Sequence, residues 1–178
     1  MVNILGVKVN RISMADAVKK AETLFDGKPH MVVTPNPEII LECKNDEELK
    51  NIINSSDLVL PDGIGVVIAS KMLGKPVPER VPGFDFVCEL LKTNHSFYFF
   101  GGKPGVADKA MENIKAQGVN VVGCHHGYFK DGDDEEIIND IINKKPDVLV
   151  VCLGAPKQEK WIYKNLEKLN VPVSIGAG

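Results

Sequence analysis

One acidic residue stands where the end of a buried strand would deliver it into a turn. Residues 57–67 read DLVLPDGIGVV, a short apolar run broken by proline and followed at once by Asp62 and Gly63. Ligands of an open parallel sheet bind outside the carboxyl ends of its strands. The position therefore predicts that Asp62 is a catalytic base. The alternative is that Asp62 only caps the helix that begins after Gly63.

Three other junctions between a predicted strand and a predicted helix carry polar or glycine-rich sequence: TPNPE, GGKPG and GAPKQE. Thr34 and Asn36 offer a hydroxyl and an amide to a sugar or base, although Asn36 also suits a helix N-cap. Gly101 and Gly102 let the backbone approach a phosphate, or simply form a tight turn before a helix. Gln158 is predicted to bind nucleotide or sugar, unless it belongs to a solvated helix face. The carboxyl ends of parallel strands share one edge, so the four junctions are expected to line one cleft.

Arg80 lies between prolines in an irregular segment, where it is either a surface charge or a clamp for a diphosphate. His125 and His126 have no acidic or cysteine partner at metal-ligand spacing nearby and are interpreted as loop residues. Asp131 and Asp133 form a D-x-D pair, but it lies in a polar run before a helix and not at a strand end. Catalysis without a tightly held metal, and no cofactor, is therefore expected.

Strand-like apolar runs alternate with helical patterns along the whole chain, which predicts βαβ units. The fold class expected is α/β, a Rossmann-like, mostly parallel sheet covered by helices on both faces. The chain is predicted to be a single domain over residues 1–178, truncated at the C-terminus because it stops directly after a strand. The predicted strands are a strand or hairpin arm in 3–11, then 30–34, 58–60, 96–100, 119–124, 147–153 and 171–175.

Composition and charge indicate which classes of protein this chain resembles and which it does not. The net charge of −3, with 44% hydrophobic and 25% charged residues, is that of an ordinary soluble domain and gives no reason to expect nucleic-acid binding. The four cysteines are scattered without a C-x-x-C pair, which favours a reducing cytosol, and Cys152 in an apolar run predicts a buried thiol. No apolar run approaches the ~18 residues that a membrane span needs, although peripheral contact stays open.

The junctions taken together resemble the WecG/TagA/CpsF family of bacterial glycosyltransferases over essentially the whole chain. The motifs that carry the resemblance are T-P-N-P-E from Thr34, D-G-x-G from Asp62, E-R-x-x-G-x-D from Glu79, G-G-x-P-G-V-A from Gly101 and G-x-P-x-Q-E-x-W from Gly154. Five ordered motifs are more specific than any one of them. The resemblance therefore favours the catalytic interpretation of Asp62 over the capping one.

The similarity is strongest to the wall teichoic acid branch of that family. It implies inverting transfer of N-acetylmannosamine from UDP-ManNAc to the 4-hydroxyl of GlcNAc on undecaprenyl diphosphate, in linkage-unit synthesis. It further implies a peripheral protein on the cytoplasmic face of the membrane, docked through a segment beyond Gly178, and self-association into a homo-oligomer. The alternatives are a sister transferase using another UDP-sugar, with N-acetylmannosaminuronic acid or glucose, and a non-catalytic module that binds nucleotide sugars.

The resemblance also implies roles for the residues. Asp62 would take the proton of the acceptor hydroxyl, because a single displacement needs a base. Arg80 and the amides of Gly101 and Gly102 would stabilise the departing UDP. Thr34 and Asn36 would bind the donor sugar or the acceptor, and Gln158 the nucleotide or sugar.

Overall fold

The computed structural model describes residues 1–130, 132 and 134–178. Asp131 and Asp133, which entered the argument about metals, lie outside the described residues. The strands are β1 (Val2–Ile4), β2 (Val7–Val9), β3 (His30–Val33), β4 (Leu58–Val59), β5 (Phe97–Gly101), β6 (Val121–His125), β7 (Val148–Cys152) and β8 (Val173–Gly176). The helices are α1 (Met14–Glu22), α2 (Pro37–Glu42), α3 (Glu47–Ser55), α4 (Ile64–Met72), α5 (Gly83–Leu90), α6 (Val106–Ala116), α7 (Glu135–Lys144) and α8 (Lys157–Leu169).

Six of these strands form one sheet in the order β4-β3-β8-β7-β5-β6, and every neighbouring pair is parallel. β1 and β2 form a separate antiparallel hairpin. The predicted Rossmann-like α/β fold is therefore confirmed. The strand order was not predicted: β8, the last strand in the chain, lies between β3 and β7 in the middle of the sheet.

Two apolar layers cover the sheet, one on each face, as alternation along β5 shows. Tyr98 and Phe100 point to the layer that contains the hairpin, α3, α7 and α8, whereas Phe97 points to the layer that contains α1 and α5. Trp161 of α8 is buried and packs on Phe100 with 4.7 Å between ring centroids, so of core and interface packing, the two interpretations of this tryptophan, the structure shows the core. This two-sided burial leaves the ends of the strands as the part of the sheet open to a ligand.

Local sequence signals set several helix starts. Ser13 accepts the amide of Asp16 at the start of α1, as its capping-box pattern predicts. Asp46 does the same for α3 through the amide of Leu49. No helix among the described residues is long and apolar enough to cross a membrane.

Three expectations need correction. The strand before Asp62 is only two residues long, Leu58–Val59, although the amide of Leu60 still donates to the carbonyl of Val33 at 2.8 Å. His125 is the last residue of β6 and not part of a loop. Cys152 is exposed and not buried, since β7 ends there, at the edge where ligands bind.

Candidate active site

Asp62 is half-buried at the end of β4 and faces the start of α5. Its Oδ2 accepts a hydrogen bond from the amide of Gly83, at 3.3 Å. It does not cap the helix that follows it, because Gly63 is the N-cap residue of α4 and makes no side-chain cap. The capping alternative is therefore wrong for α4, although the carboxylate does engage one free amide of α5. One carboxylate oxygen thus orients the group, and the carboxylate is not turned into the core.

Glycines allow the motifs of this region to pack closely against one another. A Cβ on Gly63 would lie 2.9 Å from Cδ of Pro37, and one on Gly65 would lie 2.7 Å from its Cγ. A Cβ on Gly83 would lie 2.8 Å from Oγ1 of Thr34. Contacts below 3.0 Å exclude a side chain without movement, so the glycines are required for this close approach. They bring Asp62 beside the segment that holds Thr34 and Asn36, as predicted.

The two predicted polar residues of that segment are already hydrogen-bonded. Thr34 is 8% exposed and donates its hydroxyl to the carbonyl of Gly176, at 3.0 Å. Asn36 caps α2 by accepting the amide of Ile39 at 2.9 Å, so the capping expectation is confirmed for its oxygen. Its amide nitrogen is not part of that cap. Ligand binding by either residue stays a prediction.

Arg80 is exposed on the segment that runs beside Asp62. The amide of its neighbour Val81 donates to the carbonyl of Pro61 at 2.8 Å, which fixes the backbone here. The backbone that carries Arg80 therefore runs beside the residue that precedes Asp62. Thr34, Asn36, Asp62, Arg80 and Gly83 are called the Asp62 end below.

Gly101 and Gly102 lie farther along the sheet edge, away from Asp62. Glycine is needed here for a different structural reason. A Cβ on Gly101 would lie 2.2 Å from the carbonyl oxygen of Cys152, so only glycine permits this approach of β5 to β7. The amide of Gly102 donates to that same carbonyl at 3.3 Å. The amide predicted to bind phosphate is thus occupied in this conformation. Phosphate binding by these glycines stays a prediction.

A cavity of about 420 Å³ lies next to these glycines at the ends of β5, β6 and β7. Lys103 and Lys157 give its wall two exposed cations, and Nζ of Lys157 lies 4.3 Å from the centre of the Phe129 ring. Cations beside aromatic rings suit a nucleotide, which carries a phosphate and a stacking base. The cavity is called the Lys157 end below. Its lining includes Gly102, Lys103, Tyr128, Phe129, Cys152 and Lys157.

Sequence reasoning missed most of this cavity. Tyr128, Phe129 and Lys157 belong to no motif that spacing alone identifies, and Cys152 was expected inside the core. The exposed Cys152 thiol is still surrounded by protein on most sides, and this burial raises its pKa. The one available signal was the position of Lys157, at the first residue of a helix that follows a buried strand.

The start of α8 holds two polar side chains that are almost completely buried. Gln158 is 1% and Glu159 is 2% exposed, so neither lies on a solvated face. The Gln158 side chain donates to Oε1 of Glu159 at 2.9 Å and accepts the amide of Gly178 at 3.0 Å. Burial raises the pKa of the Glu159 carboxyl, and the hydrogen bond from Gln158 opposes that shift only in part. A direct contact of Gln158 with a ligand stays a prediction.

The two ends share the carboxyl edge of the sheet but are well separated along it. β4 and β5 are the first and fifth strands of the sheet, so strand spacing alone puts roughly 19 Å between them. Arg80 and the Gly101–Gly102 turn therefore cannot hold the same phosphate group. A ligand that uses both ends must lie across β3, β8 and β7. Among the described residues, no cluster of three or more His, Cys, Asp or Glu side chains suits a metal ion.

The fold is that of an α/β protein with an open parallel sheet, a class whose ligands bind outside the carboxyl ends of the strands. Comparison with known families makes this specific. The chain belongs to the glycosyl transferase WecG/TagA/CpsF family, whose model matches residues 2–178.

Two curated relatives support the assignment. A protein of Bacillus spizizenii is 32% identical over 183 residues, covering 96% of this chain and 70% of the relative. A protein of Staphylococcus aureus is 31% identical over 184 residues, covering 99% of this chain and 72% of the relative. Both relatives are named N-acetylglucosaminyldiphosphoundecaprenol N-acetyl-beta-D-mannosaminyltransferase.

Proposed function

We propose that this protein transfers N-acetylmannosamine from UDP-N-acetylmannosamine to the 4-hydroxyl of N-acetylglucosamine on undecaprenyl diphosphate. The product would be the linkage disaccharide of wall teichoic acid. The observation that carries the proposal is the placement of Asp62, half-buried at a strand end and held between the segments of Thr34 and Gly83. The activity named for both relatives supports the same reaction.

The chemistry follows from the two ends of the sheet edge. Asp62 takes the proton of the acceptor hydroxyl while that oxygen attacks the anomeric carbon, and the bond to the UDP oxygen breaks. A single displacement inverts the configuration at that carbon. The leaving diphosphate gains negative charge, which Arg80 at the Asp62 end stabilises. The Lys157 end then holds the nucleotide, and the donor extends from it toward Asp62.

The acceptor carries a polyprenyl chain, so the reaction takes place at a membrane surface. We propose that the protein is peripheral, on the cytoplasmic face where nucleotide sugars are available, with self-association as a further property. Sedimentation with vesicles that contain anionic lipid, compared with neutral vesicles, tests the first part of this proposal.

A turnover assay tests the reaction. UDP release is measured with UDP-N-acetylmannosamine and an N-acetylglucosamine acceptor linked to a lipid diphosphate, each alone and both together. The proposal requires UDP release only when both are present. UDP release without acceptor would indicate hydrolysis, and binding of UDP without any turnover would favour the non-catalytic alternative.

Two variations of this assay address donor and metal. UDP-glucose and UDP-N-acetylmannosaminuronic acid replace the donor, and faster turnover with either would assign the protein to a sister activity. A chelator is added to test metal independence. We propose that turnover is unchanged by it, and loss of turnover that added Mg²⁺ or Mn²⁺ restores would contradict this.

A further inference from the structure

Glu159 is a buried acid with no role in the reaction as proposed so far. Its carboxyl is 2% exposed, and Oε2 has no hydrogen-bond partner among the described residues. Native proteins satisfy nearly all buried polar atoms, so an exception needs an explanation. The other oxygen, Oε1, is engaged, and the residues around it indicate what the carboxyl does.

The carboxyl lies at the centre of the sheet edge, against the end of β8. A Cβ on Gly176 would lie 3.3 Å from Oε1 of Glu159 and 3.3 Å from Nε2 of Gln158. The carbonyl of the same Gly176 accepts the hydroxyl of Thr34. Glu159 therefore lies between the Asp62 end and the Lys157 end, where an extended donor has to cross.

Glu159 also decides which way the Gln158 amide points. A glutamine side chain has an oxygen and a nitrogen of nearly equal size, and their positions are set by their hydrogen-bond partners. Because Oε1 of Glu159 accepts from the Gln158 nitrogen, the Gln158 oxygen is turned toward the amide of Gly178. That bond holds the backbone of 176–178, which lies against Cys152, where a Cβ on Gly178 would be 2.8 Å from Cα.

We propose that Glu159 is a positioning residue for the donor. Through Gln158 it fixes the backbone of 176–178, which is the part of the sheet edge that joins the two ends. The proposal rests on the proposed function. It assigns Glu159 no proton transfer and no direct contact with the reacting atoms. A buried acid without a nearby cation is most stable when protonated, and the direction of its pKa shift agrees.

Binding and kinetics of three variants test this inference. Glu159→Gln keeps the shape and an acceptor oxygen, Glu159→Leu removes the acceptor, and Asn165→Leu removes another buried polar side chain of the same helix as a matched control. The Kd of UDP-N-acetylmannosamine is measured by calorimetry, kcat and KM by UDP release, and Tm by thermal unfolding. We expect Glu159→Leu to raise Kd and KM about tenfold, as loss of one oriented contact would. We expect its kcat to stay within about threefold, and Glu159→Gln and Asn165→Leu to keep the wild-type KM.

A double variant separates positioning from general packing. If Glu159 acts through Gln158, adding Glu159→Leu to Gln158→Ala causes no further rise in Kd, whereas independent effects would multiply. If Glu159→Leu folds poorly, Glu159→Gln is measured instead, in the wild-type protein and in Gln158→Ala. We expect it to leave Kd unchanged in both.

Two results for the variants would overturn the proposal. A wild-type Kd and KM for Glu159→Leu with only a lower Tm would make Glu159 structural. A loss of kcat in Glu159→Gln at unchanged KM would make it an acid or base. If the wild-type protein binds UDP-N-acetylmannosamine but shows no turnover, the proposed reaction fails while the Kd comparison still tests Glu159. If it does not bind this donor at all, both fail.

Discussion

The two ends of the sheet edge differ in how far their polar groups are already engaged within the protein. At the Asp62 end, the side chains of Asp62, Thr34 and Asn36 all form hydrogen bonds with backbone atoms. Glycines allow the segments around them to pack closely. At the Lys157 end, two lysines and an aromatic ring line an open cavity of about 420 Å³. One end is rigid and half-buried, and the other is open and cationic.

This difference matches two separate tasks. A group that takes a proton in a transition state must be held in place before the substrate arrives, because reorganisation would add to the barrier. A site for a flexible anion needs charge and room more than it needs rigidity. We therefore expect the chemistry at the Asp62 end and the affinity for the nucleotide at the Lys157 end. Substitutions at the two ends should therefore change different kinetic constants.

The largest effect is expected from Asp62→Asn. Removing a general base typically costs 10²–10⁴-fold, and the asparagine keeps an oxygen that can accept the amide of Gly83. We expect kcat to fall by about that factor, with UDP binding by calorimetry and Tm near the wild-type values. A variant with lost UDP binding would show that this end also provides affinity, and one with full turnover would exclude Asp62 as the base.

The second-largest effect is expected from substitutions at the Lys157 end. Replacing Lys103 and Lys157 by methionine removes two cations from the cavity and also the contact of Lys157 with the Phe129 ring. One charged hydrogen bond contributes about 1.5–3 kcal/mol, so we expect UDP to bind about ten- to a hundredfold more weakly. KM for the donor should rise with it, while kcat at saturation stays near wild type. A matched exchange of the exposed Lys144 and Lys145, at the end of α7, should change neither.

Much of this division was predictable. Strand and helix periodicity established the fold class, and glycine, proline and polar residues at the junctions pointed to Thr34, Asn36 and Asp62. Local sequence could not predict that β8 inserts between β3 and β7, because strand order depends on long-range packing. That insertion separates Asp62 from Gly101 by four strand positions. It also buries Glu159, in the first turn of α8, against the end of β8, although a polar helix start normally faces solvent.

Gly65→Ala tests whether packing maintains the Asp62 end. The new Cβ would lie 2.7 Å from Cγ of Pro37, so the proline segment must move or the core must strain. Overpacking of this kind costs about 1–3 kcal/mol in the free energy of unfolding. We expect a lower Tm together with a lower kcat, because the segment carries Asn36. Gly74→Ala is the control: it has a φ of +67° but no heavy atom within 4 Å, so Tm should fall while kcat does not. Equal kcat losses in both would contradict the packing argument.

Cys152 reports on occupancy of the Lys157 end. It is the exposed cysteine of the four, and the others are half-buried or buried. Because burial in the cavity wall raises its pKa, we expect alkylation to be slow at pH 7 and to accelerate as the pH rises. UDP should protect the thiol, and Cys152→Ser should abolish the labelling seen by mass spectrometry. Labelling of Cys152 at an equal rate with saturating UDP would place the nucleotide elsewhere.

The smallest effect on activity is expected at the opposite edge of the sheet, where His30 begins the strand that ends near Thr34. The His30 ring lies 2.8 Å from Asp26 and 2.9 Å from Asp57. Partial burial lowers the pKa of His30, but hydrogen bonds to the two carboxylates outweigh it and the pKa is raised. The protonated ring therefore stabilises the folded chain fully below the unfolded pKa of about 6.5, and this contribution is lost as the pH rises through the folded pKa.

Chemical unfolding between pH 5.5 and pH 9 measures this contribution. Over that range we expect the wild-type chain to lose free energy of unfolding that His30→Asn does not lose, because asparagine has no proton to lose in this pH range. The pH profile of kcat should be the same in the two proteins, since His30 is a strand length away from Asp62 and touches none of its partners. A shifted kcat profile in His30→Asn would mean that the two edges of the sheet are coupled. It would also mean that the rigidity of the Asp62 end depends on more than its own glycine contacts.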